Sequence, residues 1–407
     1  MAAQTGLPVA VDPPEEVVEF FDTTLRDGEQ APGASLGGAA KLEVARQLAR
    51  LRVDVVEAGF PASSPGDFEA VRRIARELEG TTVTGLARAR REDIDSVHEA
   101  VRDGHRPLIH VFISVSDIHI AKKLGSDRAT VLRQVREAIA YASSLGPAVQ
   151  FSPEDAGRAD RDYLCTVVQA AVEAGATVIN LPDTTGYCLP DEFAAMVATV
   201  RREVRGMERV LVSVHCHDDL GLATANSLAG VMAGARRVEG CINGLGERAG
   251  NAAIEEVAMA LRVRRPTLGL EDHLDSTQLV PTSRLVARLT GLAVPANKPV
   301  VGGNAFAHAS GVHQHGVLCD RRTYEIIAAE EVGAGGSRIV LTARSGRHAL
   351  RHRLALMGVD LPPDSFQAVW RRFLEVADAS KEVEDLALAR ILGEMQVSEP
   401  RSGLLGG

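Results

Sequence analysis

Between Val17 and about Val263, short β-branched runs alternate eight times with longer Ala-, Leu- and Arg-rich stretches of helical period, and nothing else in the chain constrains its fold as tightly. The strand-like runs begin near Val17 (VVEFFD), Val53 (VDVVEAG), Thr81 (TTVTGLA), Leu108 (LIHVFIS), Ala148 (AVQFS), Thr177 (TVINLPD), Val210 (VLVSVHCH) and Arg237 (RVEGCING). Helix-like stretches follow at 37–51, 66–78, 92–103, 127–145, 160–174, 190–204, 221–234 and 252–262. Parallel strands joined by crossover helices are covered on both faces, and eight such units in about 250 residues predict an α/β fold, a closed (β/α)8 TIM barrel. An open doubly wound sheet is the alternative. The scarcity of aromatic residues, 4%, favours tight helix-on-strand layers over a β-sandwich.

Past Leu268 the strand rhythm fades. Helical segments near 275–291, 345–357, 363–378 and 380–393 are linked by a Gly-rich piece, VGGNAFAHASGVHQHG, predicting a smaller, mainly helical C-terminal module. The expected division is a flexible tail at 1–16, a catalytic barrel at 17–268, helical subdomains at 269–320 and 321–395, and a disordered tail at 396–407.

A net charge of -9 argues against broad contact with nucleic acid or an anionic membrane, since both need clustered Lys and Arg. No apolar run reaches the roughly 20 residues that cross a bilayer, and no basic-then-apolar leader opens the chain. Five cysteines without a CxxC pair give no disulfide framework. A reduced, cytoplasmic protein is expected.

In a barrel of this kind chemistry gathers where strands end, and polar residues crowd there: Asp22, Arg26, Asp27, Glu57, His110, Glu154, Asp183, His215, His217 and Asn243. HCHDD sets His215 and His217 two apart at the end of the seventh strand, so alternation sends both imidazoles to one side. FDTTLRDGEQ after the first strand brings Arg26 beside Asp27, and NGLGERAGNA after the eighth offers Glu247 and Asn251. First, seventh and eighth strands are neighbours once the barrel closes. Asp27, His215, His217 and Asn251 are therefore predicted to share one divalent ion with open positions for substrate, a donor set that suits Zn, Mn or Mg. FSPEDAGR and LPDTTGY add Glu154 and Thr184 as candidate substrate contacts, while helix capping competes for Asp155 and Asp183.

Together DTTLRDGEQ, VEAGFPASSPGDFEAV, SVHCHDDLGLATANSLAG, VEGCINGLGERAGNAAIEEV and, in the C-terminal module, NAFAHASGVHQHGVL resemble the metal-dependent Claisen-condensing barrel family of 2-isopropylmalate, homocitrate and citramalate synthases. The resemblance covers nearly the whole chain and favours condensation over the related carbon-carbon lyases and aldolases. It implies an acyltransferase that joins acetyl-CoA to a 2-oxo acid and hydrolyses the thioester to a 2-substituted malate. The 2-oxo acid would be 2-oxoisovalerate or, alternatively, 2-oxoglutarate, pyruvate or a phosphonate analogue from specialised metabolism. By resemblance Arg26 stabilises the forming alkoxide, Glu154 and Thr184 contact the 2-oxo acid, Gln30 supports the site, and Glu247 orients the acetyl group. His313 and Tyr324 take part in proton transfer, and His119 and Thr185 line the side-chain pocket. The 269–320 segment is expected to cover the active site of a homodimer with exchanged C-terminal modules. Two positions depart from the family: His315 stands where an aspartate is usual, and Thr185 adds a hydroxyl where leucine-pathway members have an apolar wall. Those members carry a C-terminal leucine-sensing domain, for which no room is left before Gly407, so leucine feedback is not expected.

Overall fold

The computed structural model describes residues 16–395, and the tails expected at 1–16 and 396–407 lie, but for Glu16, outside them. The chain forms two compact units, Met1–Val294 and Pro295–Gly407.

In the first unit eight parallel strands close into a barrel in chain order: β1 (Glu19–Asp22), β2 (Val55–Glu57), β3 (Thr82–Arg88), β4 (Pro107–Ser114), β5 (Ala148–Glu154), β6 (Val178–Asp183), β7 (Leu211–Cys216) and β8 (Arg237–Gly240). Closure is direct, since β1 pairs with β2 through Phe21 and Val55 and with β8 through Glu19 and Arg237. The helices α1 (Gly38–Leu51), α2 (Pro65–Glu77), α3 (Arg91–Val101), α4 (Arg128–Ser144), α5 (Arg161–Glu173), α6 (Pro190–Glu203), α7 (Ala223–Met232) and α8 (Ile254–Leu268) succeed the eight strands in turn. The barrel and its strand count are as the alternation predicts, because β-branched runs too short to stand alone need two covered faces.

Local chemistry fixes where the helices start. Ser64 caps α2 by accepting from the Asp67 amide, with Pro65 at the first helical position; Asp127 caps α4 and Asp160 caps α5 in the same way. Each helix turns an apolar stripe to the strands, in α1 Leu42, Val44, Ala45, Leu48 and Leu51. A further helix, α9 (Leu279–Thr290), also belongs to this unit, where Ser283 exchanges hydrogen bonds with Asn243.

The barrel interior is polar to an unusual degree. At one level Arg237 donates to Glu19 and to Gln150, whose amide donates to Glu239 (2.8 Å), all inside the strands. Phe21, Val55 and Leu108 form an apolar cluster of the interior.

The second unit has its own core, built on α11 (Arg347–Leu356), α12 (Pro363–Asp378) and α13 (Asp385–Glu394), where Leu350, Val369, Phe373 and Leu388 are fully buried. At roughly 1.5–3 kcal/mol for each large apolar side chain, such a cluster gives a unit of this size its own driving force. The Gly-rich piece read as a link instead contains a helix, α10 (Gly311–Cys319). Its glycines serve packing: a Cβ at Gly311 would meet the backbone of Arg344 and Gly346, and one at Gly316 would meet the Tyr324 ring. Among the described residues no helix is long and apolar enough to cross a membrane, and all five cysteines are free.

Candidate active site

Three donors from two neighbouring parts of the barrel converge at its C-terminal mouth. The turn after β1 supplies Asp27, while His215 lies within β7 and His217 just past its end. Their ligand atoms lie within 4.8 Å of one another, and all three residues are buried. Nε2 of His215 and Nε2 of His217 are 3.4 Å apart, and each is 3.7 Å from Oδ2 of Asp27. Two nitrogens on one ion with bonds of about 2.1 Å sit roughly 3.0–3.4 Å apart, so the imidazole pair already has the spacing of cis ligands. Two ring nitrogens facing each other at this distance need a shared proton or a cation between them.

Asn251 joins the group through its backbone, which bridges to His217, and its side chain, which donates to Asp27 Oδ1 (3.1 Å) and to the Leu245 carbonyl (3.0 Å). Its Oδ1 is buried without a partner among the described residues, as is Nδ1 of His217. A buried acceptor with nothing to accept from is costly, and a cation beside it removes that cost. Two imidazoles, a carboxylate and an orphaned amide oxygen therefore suit a divalent ion. The loop holding Asn251 depends on Gly250, whose φ of +96° and close approach to the Gly244 carbonyl exclude a side chain.

The imidazoles are oriented from behind. Glu239, on β8, accepts from Gln150 (2.8 Å), from Ser213 (3.0 Å) and from Nδ1 of His215 (3.2 Å), so Nε2 of His215 presents its lone pair to the cluster. Burial pushes His215 down, but the hydrogen bond and charge of Glu239 outweigh it and the imidazole ends above its ordinary value. Burial and the neighbouring His215 push His217 down to about 4, which keeps it neutral and able to ligate. Burial also raises Asp27, yet Arg26 and the two imidazoles hold it well below the usual carboxylate range.

Arg26 is locked in place. Its Nε donates to Glu57 (2.5 Å) and its Nη1 to Asp27 (2.7 Å), while no hydrogen bond from Nη2 occurs among the described residues. Glu57, brought to about 2 by Arg26 and His110 in spite of burial, is an acceptor only. Nδ1 of His110, 2.6 Å away, must then carry the hydrogen and donate, leaving Nε2 to accept from Ser152 (2.7 Å), which in turn accepts from Asn180 (2.8 Å). A continuous hydrogen-bonded row thus runs Asn180, Ser152, His110, Glu57, Arg26, Asp27.

Arg26, Asp27, His110, Ser152, Asn180, His215, His217 and Glu239 line a cavity of about 290 Å³ together with Gln30, Phe60, Leu86, Phe112, Lys123, Glu154, Pro182, Thr184, Glu247 and Arg248. Glu154 is bound by Ser114 and by Lys123 Nζ (2.6 Å), and Thr184 Oγ1 accepts from the Asp155 amide (2.9 Å). Thr185 and His119 do not line this cavity: the Thr185 hydroxyl is buried without a partner, and His119 lies 3.7 Å from Asp155 and 3.4 Å from Arg158. Of the two aspartates read as possible caps, Asp183 accepts from the Tyr187 and Cys188 amides of the turn after β6, and Asp155 bonds Ser116 and Arg158. His313 and Tyr324 belong to the second unit, where their rings stack at 4.1 Å.

Glu239, Ser152, Asn180 and Lys123 escape sequence reasoning, and Glu57 and His110 are noticed there only as polar strand ends. For those on strands the signal is a polar residue within a run that otherwise reads as fully buried, as in LIHVF, VQFS and VEG, whereas Lys123 lies in the helical turn His119–Lys123.

Comparison with known proteins bears on the family and the fold. Residues 17–286 match the HMGL-like family, and residues 300–381 match the homocitrate synthase post-HMGL domain-like family. A 2-isopropylmalate synthase of Pelotomaculum thermopropionicum is 53% identical over 377 residues, 93% of this chain and 75% of that protein. One from Pyrococcus furiosus is 51% identical over 377 residues, 93% of this chain and 76% of that protein. Among solved structures an HMG-CoA lyase from Brucella melitensis superposes with a TM-score of 0.58 at 23% identity, over 68% of this chain and 99% of that one, a likeness of fold alone. With half of its residues shared along nearly all of its length, the chain belongs to the 2-isopropylmalate synthase family of HMGL-like barrels.

Proposed function

We propose that this protein is a divalent-metal-dependent acyltransferase that joins the methyl carbon of acetyl-CoA to the ketone carbon of 2-oxoisovalerate, then hydrolyses the thioester to give 2-isopropylmalate and free CoA. The observation that carries this reading is the clustering of Asp27, His215 and His217 with a guanidinium fixed beside them, at the mouth of a barrel that shares half its residues with synthases of that name. Bound between Asp27, His215, His217 and the Asn251 amide oxygen, a divalent ion would supply a Lewis acid for the ketone and carboxylate oxygens of the 2-oxo acid.

The chain's own residues do the rest. Glu57 and Asp27 hold Arg26 so that its free nitrogen meets the ketone oxygen as negative charge grows there, without reorganisation at the moment of reaction. Glu154 and Thr184 hold the acid, and Gln30 supports them from the turn that carries Arg26. Phe60, Leu86, Phe112 and Pro182 give the cavity an apolar side for a branched alkyl group. Its volume, at the small end for ligand pockets, suits a small acid plus an acetyl group and leaves the bulk of the thioester outside. Glu247 orients that acetyl group. His313 and Tyr324 of the C-terminal module move the protons: one leaves the methyl carbon as the C–C bond forms, one reaches the new hydroxyl, and water cleaves the C–S bond. The protein works as a homodimer with exchanged C-terminal modules.

One observation favours a second substrate. Lys123 lines the cavity beside Glu154, and a cation there would receive the distal carboxylate of 2-oxoglutarate. Purified protein given acetyl-CoA, a divalent metal and a panel of 2-oxo acids should release free thiol, fastest with 2-oxoisovalerate. Faster release with 2-oxoglutarate selects the second reading. Failure of every acid, with cleavage of 3-hydroxyacyl thioesters, replaces both by a lyase.

A further inference from the structure

The second unit carries a cluster of soft ligands for which the proposed reaction has no use. On α10, His315 and Cys319 are four residues apart and so stand one above the other on one helical face. Nε2 of His315 and Sγ of Cys319 are 3.8 Å apart. On α11, His348 and His352 repeat the same spacing. The two helices start side by side, since the Gly311 amide donates to the Arg344 carbonyl (3.0 Å) and a Cβ on Gly311 would touch the Gly346 backbone. One turn in, the His315 and His348 rings stack across the gap, with centroids 4.8 Å apart and planes inclined by 22°.

We propose that His315, Cys319 and His348 form a second metal site, for a zinc-class ion. A nitrogen and a sulfur bound to one tetrahedral ion, with bonds of about 2.1 and 2.3 Å, lie roughly 3.6 Å apart, close to the spacing that His315 and Cys319 already have. The His348 ring is exposed and its side chain is free to turn, a motion such side chains make in nanoseconds, and the site closes when that turn aims a ring nitrogen at the His315 and Cys319 pair. Thiolate with imidazole selects zinc and its late-transition neighbours over magnesium or calcium. The site differs in kind from the barrel cluster, which offers nitrogen and oxygen alone. Binding would pin α10 to α11. His313, two residues before His315 and so about 200° round the helix, stays on the opposite face, stacked on Tyr324.

Cobalt(II) distinguishes the two sites, because only thiolate ligation gives an intense sulfur-to-cobalt charge-transfer band. Titration of the metal-free, reduced full-length protein should show two equivalents bound, the band growing with one of them and bleaching as zinc displaces cobalt. Cys319→Ser should bind one equivalent without the band. His348→Ala, an exposed change that keeps the thiol, should weaken the band-forming equivalent roughly tenfold or more. Cobalt binding without the band in the parent protein, a band that survives Cys319→Ser, or unchanged affinity in His348→Ala would each overturn the proposal.

Discussion

Glu239 is the sharpest lever on the barrel cluster, because it orients one of the three donors through the imidazole it holds. Its carboxylate is buried and accepts from Gln150 Nε2, Ser213 Oγ and His215 Nδ1 at 2.8, 3.0 and 3.2 Å. Glu239→Gln keeps the volume and one acceptor oxygen, which can serve two of these donors, and turns an amide NH2 toward the third. His215 then loses its charged acceptor and the hydrogen bond that commits Nε2 to the cluster. Losses of such orienting partners cost 10–100-fold in metal affinity, about 1.4–2.7 kcal/mol. Competition against a chelator at fixed pH should read that loss directly. Thiol-release kinetics at saturating metal should recover most of kcat with KM for the thioester unchanged. Affinity within about twofold of the parent, or a loss of turnover that excess metal does not restore, would refute the role given to His215 and its partner.

Arg26→Lys keeps the charge but loses the planar fork that Glu57 and Asp27 grip, so kcat should fall roughly 10²–10³-fold with a smaller change in KM for the 2-oxo acid; steady-state kinetics in which only KM moves would show that the guanidinium merely binds. Asp22 tests the electrostatics beneath the site: burial, with Glu255 and Glu57 nearby, pushes its carboxyl up to about 7 although Thr24 donates to both oxygens. The folded protein therefore holds this proton where the unfolded chain has lost it, and stability falls as pH rises from about 4 to 7, on the order of 4 kcal/mol in all. Asp22→Asn should remove that fall, so denaturant unfolding should show the variant gaining on the parent across the window; a pH-independent difference would contradict it.

Periodicity and chain neighbourhood make the barrel and its candidate metal donors readable without a structure. Eight alternations of β-branched and helical text match a closed parallel barrel in count and length, and once the barrel closes β1, β7 and β8 are neighbours. That is why Asp27, His215 and His217, distant along the chain, group together on sequence grounds, and why the turns carrying Arg26 and Asn251 are legible with them. How these groups are held is a matter of three-dimensional packing. The partnerships of Glu239 with His215, and of Glu57 with both Arg26 and His110, depend on which side chains of a strand point inward and at what level they meet. Strand register sets that level, and single strands read one at a time do not reveal register. Helix α10 is of the same kind: GVHQHG reads as a flexible link because glycine lowers helix propensity, and it becomes a helix only where the backbone of Gly346 and the ring of Tyr324 fill the space that side chains would occupy.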